Sequence, residues 1–498
     1  MTEHDAWADE VERRISTAVG TPPLPDEFYD VARARVASTR RRPRWLARIT
    51  EPAMRTSSGV TVGSPTVRFG AIMIATLLLT LAVAGAGLAG IRILEGPAPI
   101  VVDPIVVEPI VVDSPAPIAV DPIVVDPNGL GDFTTIAEAV EEAQDGDTIH
   151  VRPGTYIEAV TITRDIALLG DGPREEIIIE APAEGPSTLV DDGRAVRHAI
   201  LIDGSEATVS GLTLRGTDSA VQARGGEPTI EGLRFEAVGQ PHVTLHGRSF
   251  PNAIIASEGS RALISENILV DSGPIAIYDD SRPIVLDNEL IDGASIIAFT
   301  SSDDAVIRGN SISGALLRGI GTYGTGNVLI QGNTITAAAA EGIYVGDGTV
   351  LDNTVRDSAI GIWVAPAAAE PKIQGNVLRG NSIGIQTEGE SANMIVLKNE
   401  LVDNRTGIRI AGTDGHYERN TVAGGQTGIA ILGSASPTLL DNIVESSETS
   451  GLFIGRIASP TLDGNQICAM AAGEHVVHED AGQTAIDATN TICTDATD

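Results

Sequence analysis

Carboxylates recur along the second half of this chain in a loose phase. Counting back six to nine residues from a repeated asparagine gives Glu258, Asp280, Asp303, Asp304, Asp347, Glu370, Glu390 and Asp414. A column of such side chains could share a hard cation through oxygen ligands. Asp280, Asp303, Asp304 and Asp347 are the candidate ligands, and Ca²⁺ there is the one exception to the expectation that no cofactor binds. The phase drifts by up to three positions, and acidic turns are also what any soluble repeat protein displays. His242-x-x-x-His246 would put both rings on one strand face, and Glu474-His475-x-x-His478-Glu479 offers mixed ligands near the C-terminus. Packed or solvated histidines are the plainer reading of both. Tyr344 and Trp363 each follow an Ile in the same phrase one repeat apart, so they should point outward together and offer rings for a sugar to stack on.

A repeat must position these groups. Asn267, Asn288, Asn310, Asn333, Asn353, Asn376, Asn399, Asn420, Asn442 and Asn465 are separated by 20 to 23 residues. Each sits in a phrase such as Ile330-Gln-Gly-Asn333-Thr-Ile335, and a Gly-Ile/Leu-x-aliphatic phrase follows at Gly342, Gly361, Gly384, Gly407, Gly428 and Gly451. Segments such as Ile362-Trp-Val364 alternate with period two and are too short for helices. A third strand precedes each Asn and often starts at a proline: Pro283, Pro371, Pro437 or Pro460. Three short strands in about 22 residues describe a parallel β-helix whose coils bury their apolar faces only by stacking. Asn tolerates left-handed backbone and so could turn the corner itself, while its amide bonds the coils above and below. Asn310, Asn333, Asn353, Asn376, Asn399 and Asn420 are therefore expected to form a ladder.

The repeat resembles the right-handed parallel β-helix superfamily of pectate lyases, polygalacturonases and NosD-type proteins, over roughly Asp147 to Cys468. Gly131-Asp-Phe-Thr-Thr-Ile-Ala-Glu-Ala-Val140 through Asp147-Thr-Ile-His-Val-Arg-Pro-Gly-Thr-Tyr156 is similar to the opening of pectin methylesterases. It also reads physically: Thr135-x-x-Glu138 is a capping box, Phe133, Ile136, Val140 and Ala143 line one helical face, and Gly146 ends the helix. Such a helix would plug the first coil.

The resemblance implies catalytic sets that the residues do not supply. Pectin methylesterases need paired carboxylates, but Gly239-Gln-Pro-His-Val-Thr-Leu245 and Ser272-Gly-Pro-Ile-Ala-Ile277 lack them, and Gln222 stands alone. Polygalacturonases need an Asp pair followed by Gly-His; Asp303-Asp304 is present, yet the next histidine is His416. No catalytic residue is assigned. The likeness to NosD, a copper-site maturation factor, is what makes metal binding worth naming.

The front of the chain suggests where the solenoid lives. Phe69 to Ile91 is 23 residues without a charge, long enough to span a bilayer. Eleven arginines precede it, and Arg92 is the only basic residue in the next sixty. The positive-inside rule then places residues 1–68 in the cytoplasm as a basic tail, 69–94 in the cell membrane, and the rest outside. Residues 95–127 read as a stalk of Pro-Ile-Val-Val-Asp units, 128–466 as the solenoid and 467–498 as a terminal cap. Beyond residue 68 the chain holds 22 basic and 58 acidic residues, a net of −36 that repels nucleic acid and, unless cations intervene, anionic polysaccharide. Both cysteines, Cys468 and Cys493, fall where the repeat decays, and an even count outside the cell suggests one disulfide.

The expectation is a membrane-anchored, all-β, right-handed parallel β-helix with an N-terminal capping helix. Its partner would be an extracellular glycan or another surface ligand, bound without catalysis. A divergent polysaccharide lyase or hydrolase and a structural spacer are the alternatives, and the oligomeric state stays open.

Overall fold

The computed structural model describes residues 121–498, apart from 183–186, 190–194, 217–218, 239–251, 301–304, 324–325, 367, 369, 390–392, 470–472, 480–488 and 494–498. The tail, the span over 69–94, most of the Pro/Val/Asp repeat, His242, His246, Asp303, Asp304 and Glu390 lie outside the described residues. Among the described residues no helix is long and apolar enough to cross a membrane.

The described chain winds into a parallel β-solenoid of about 14 turns. Each coil gives one short strand to each of three sheets, which hold 15, 15 and 14 strands along their main paths. The first sheet runs from Ile123–Val125 to Thr461–Asp463, the second from Gly154–Ile157 to Thr491–Ile492, and the third from Val160–Ile162 to Glu474–His478. Pairing is in register throughout most of the stack, as in Ile330↔Val350 and Ile362↔Ile385. In most first-sheet strands the residue at the middle points inward, and Ile307, Ile330, Val350, Ile373 and Val396 stack into one continuous apolar core. No coil could bury these side chains alone, so the stacking of neighbours drives the fold.

The asparagines stack inside the corner between the first and second sheets. Asn353 is typical: its Oδ1 accepts from the backbone N–H of Asn333 and from Asn333 Nδ2, both at 2.9 Å. Its own Nδ2 donates to the carbonyls of Ile330 and Leu351. The chain of such bonds runs from Asn267 to Asn465 and ends on Asn490, an eleventh member. The asparagines do not themselves take left-handed backbone. That conformation falls one residue earlier, at Glu266, Asp287, Asp352, Lys398, Arg419 and Asp441 or at a glycine. The reason is economy of space: the preceding residue makes the bend at the surface, which frees the amide to turn inward and satisfy the corner's buried polar groups. A second, shorter ladder closes the next corner, where Ser358 N–H donates to Asn381 Oδ1 and Asn381 N–H to Asn404 Oδ1.

The ends are closed differently from each other. Thr135 caps a helix, α1 (Ile136–Glu142), that buries Ile136, Ala139 and Val140 against the first coils. Glu158 also receives its first N–H groups, from Ile136 and Ala137. The helix stops at Glu142, with Ala143 as its cap, rather than at Gly146, which takes φ +90° in the turn that follows. The solenoid also begins earlier than residue 128, because the last repeat unit already supplies strand Ile123–Val125 to the first sheet, paired with Ile149–Val151. At the other end Cys468 and Cys493 are bridged, with Cα atoms 5.0 Å apart.

Candidate functional site

The outer face of the third sheet gathers the chain's scarce aromatics. In each Gly-Ile-x-aliphatic phrase the Ile and the last residue point into the core, so the residue between them points out. In-register stacking turns these outward positions into one column over seven consecutive strands, from Ile275–Asp279 to Thr406–Ala411, made of Ala276, Ile297, Gly321, Tyr344, Trp363, Gln386 and Arg409, and Tyr278 and Phe299 occupy the next outward position beside it. Tyr278 pairs with Phe299, and Tyr344 with Trp363, then Gln386, then Arg409. Gly321, between Ile297 and Tyr344 in the column, leaves its slot empty of side chain, and the ring of Tyr323 packs over it and links Phe299 to Tyr344.

The rings are spent on one another. Tyr278, Phe299, Tyr323 and Tyr344 follow at centroid separations of 5.5, 4.9 and 5.2 Å, with neighbouring planes within 30° of parallel. Trp363 meets Tyr344 edge-on at 5.5 Å. The ring faces therefore look along the solenoid axis at their neighbours, and the half-buried tyrosines and Phe299 turn their edges to solvent. The expectation of open faces for sugar stacking is not met.

Trp363 departs furthest from expectation. It points away from the main core, as alternation requires, but only 5 % of it is exposed. Ile360 and Ile383 pack around it with Tyr344, forming a second apolar cluster on the outside of the sheet. Its indole N–H is buried without a hydrogen-bond partner. Tyr344 is half-buried, so of the two it alone offers surface.

A buried ion pair anchors the middle of the row. Arg318 Nε lies 2.6 Å from Glu341 Oε2, and both side chains are only 2 % exposed. The guanidinium sits 4.0 Å over the Tyr344 ring and also contacts the Tyr323 hydroxyl. Burial works to lower the Arg318 pKa, yet Glu341 and the tyrosines outweigh it and the net shift is upward. Burial pushes the Tyr344 phenol up to about 12 and raises Tyr323 as well, although Arg318 opposes both. Neither phenol is poised as a base near neutral pH. Further along, Arg409 donates to Glu388 at 2.8 Å, and Gln386 donates to the same carboxylate.

The remaining candidates do not converge. Asp280 is exposed and Asp347 half-buried, and among the described residues no three of His, Cys, Asp and Glu could hold a metal ion together. Several of the acidic turns serve the neighbouring coil: Asp414 accepts from Ser436 N–H at 2.8 Å and Glu370 from Asn393 at 3.1 Å. His475 Nδ1 accepts from Ala469 N–H, and Glu479 accepts from Arg456 N–H. Gln222 is buried and its amide donates to the Ser257 hydroxyl.

Sequence reasoning missed Arg318 and Glu341. Their phrase occurs once, and 23 residues separate them, so a one-coil offset between opposite charges was the only available signal. Tyr278 and Phe299 were legible in principle, as outward positions of the same strand stack, whereas Tyr323 lies just beyond its strand Ile320–Thr322.

The chain belongs to the right-handed β-helix family: the family model described as "Right handed beta helix region" matches residues 198–349, 242–378 and 318–467. No curated protein matches it. Among solved structures it is similar to the A-module of the mannuronan C-5 epimerase AlgE6 of Azotobacter vinelandii, at 14 % identity and TM-score 0.35 over 70 % of this chain and 94 % of that one. It is similar to the periplasmic alginate epimerase AlgG at 13 % identity and TM-score 0.40, over 68 % and 86 % of the two chains. It is also similar to the catalytic unit of a GH87 alpha-1,3-glucanase from Streptomyces thermodiastaticus, at 13 % identity and TM-score 0.41, over 71 % and 66 %. None of these likenesses transfers an activity.

Proposed function

We propose that this solenoid binds an extended glycan along the outer face of its third sheet, without catalysis, while residues 69–94 anchor it in the cell membrane with the tail inside. The observation that carries the reading is the row itself. A chain with 3 % aromatics sets Tyr278, Phe299, Tyr323, Tyr344 and Trp363 side by side on one lateral face. Trp363 supports from beneath, whereas Tyr278, Phe299, Tyr323 and Tyr344 make the contact through ring edges and phenol hydroxyls. A polymer lying along the solenoid axis meets the same chemistry coil after coil, which suits weak, multiply repeated contacts. The charged groups in the row, Arg318 with Glu341 and Arg409 with Glu388, are occupied with each other, which favours binding over turnover.

Affinity electrophoresis of the full chain in detergent, through gels containing glucan, mannan or galactan, tests this. Migration should be retarded by at least one polymer, and Tyr344→Ala should remove the retardation. Release of unsaturated or reducing ends from any of these polymers would replace the reading with an enzyme. Unretarded migration in every gel would leave a spacer.

A further inference from the structure

Net charge alone does not decide what kind of polymer the row accepts, because an acidic domain can still hold a cationic groove. The side chains of the row do bear on it. Resting on the binding reading above, we infer that the glycan lying on this face is uncharged, so that neither a polyuronate nor a polyamine is the ligand.

The inference begins with the cations. Arg318 and Arg409 are the guanidinium groups in the row, and both are neutralised on the spot. Arg318 is held by Glu341, with both side chains out of water, and Arg409 is held by Glu388 at 2.8 Å, the two side chains 17 % and 27 % exposed. A carboxylate-bearing sugar could recruit Arg318 only by leaving Glu341 as an unpaired buried charge, a severe penalty. Among the described residues, the strand ends and turns leading from this sheet to the first add Asp279, Asp280, Asp347, Glu370 and Asp414 against the guanidinium of Arg282. A polyanion therefore meets repulsion along that border and finds both guanidinium groups of the row already paired, while the opposite border carries Arg356, Arg379 and Arg405 beside Asp357 and Asp403.

A polyamine would be drawn to that border, but by exposed, screened carboxylates rather than by the row. The row itself presents phenol hydroxyls, ring edges and a self-neutralised Arg409–Glu388 pair. These recognise hydroxyl-rich surfaces that carry no charge, in the way that sites built for neutral ligands use a few placed polar groups among apolar ones.

Affinity gels run with chelator at low and at moderate salt separate the cases, using a neutral β-glucan, a neutral galactomannan, polygalacturonate, alginate and chitosan. The full chain should be retarded by a neutral polymer equally at both salt levels and not by the polyuronates. Tyr344→Ala should lose at least tenfold in that retardation. Glu388→Gln, which deprives Arg409 of its counter-charge, should gain retardation in polyuronate gels at low salt. Wild-type retardation by polygalacturonate or alginate in chelator would overturn the inference while leaving glycan binding intact. So would chitosan retardation that Tyr344→Ala abolishes. If no polymer retards the chain, the binding reading falls and this inference with it.

Discussion

Trp363 and Tyr344 are adjacent in register, yet they do different work. Trp363 is almost fully enclosed with Ile360 and Ile383, so Trp363→Ala should cost about 3–5 kcal/mol by emptying a packed cluster. A fall in the thermal midpoint would report it; an unchanged midpoint would mean that the indole is not packed as described. Tyr344→Ala removes a half-buried ring and should reduce glycan retention more than stability. Glu341→Gln leaves the Arg318 charge buried and unpaired, for an expected loss of about 3–5 kcal/mol in denaturant titration. The tyrosines also set an alkaline limit. Burial raises the phenols of Tyr156 and Tyr344 to about 12 in the folded state, and raises Tyr417 too. An unfolded tyrosine titrates near 10. Their contribution is therefore complete below about pH 10 and is lost as pH climbs from there through the folded values. Midpoints measured from pH 8 to 12 should be flat and then fall; a fall beginning near pH 8 would implicate other groups.

At the scale of the coil, two devices hold neighbours together. One is the asparagine ladder. Asn353→Leu strands the Asn333 N–H and the Ile330 carbonyl, buried groups that each cost about 1–3 kcal/mol when left unmade. The other is the close approach at Gly384, where an added methyl would lie 2.6 Å from the Gly407 carbonyl oxygen and 2.6 Å from Leu401 Cδ2. Gly384→Ala should thus destabilise by roughly 1–3 kcal/mol through overpacking, seen as a shifted urea midpoint. The ladder was legible because its phrase repeats with one invariant residue type. The bend beside it was not, since Gly, Asp, Glu, Lys and Arg all fill that position. The second ladder through Ser358, Asn381 and Asn404 spans too few coils to stand out as a period. Burial of Trp363 was hidden for another reason. Alternation fixes which side of a sheet a residue faces, but Ile360 and Ile383, on the same outer side, decide whether it is covered.

The solenoid has one lateral face unlike the others. Its coils, caps and corners are what a 20- to 23-residue repeat requires of any sequence. The row on the third sheet is not required by the repeat, since Ala430 holds the same position further along the stack. That contrast is why the row, rather than the corners or the caps, is the surface proposed to bind. Hydroxyl-radical footprinting of the full chain, with and without a neutral oligosaccharide that retards it in gels, tests this most directly. Protection should concentrate on Tyr278, Phe299, Tyr323 and Tyr344, with the first and second sheets unchanged. Protection centred on either of those sheets, with the third-sheet aromatics as reactive as in the free protein, would contradict the assignment.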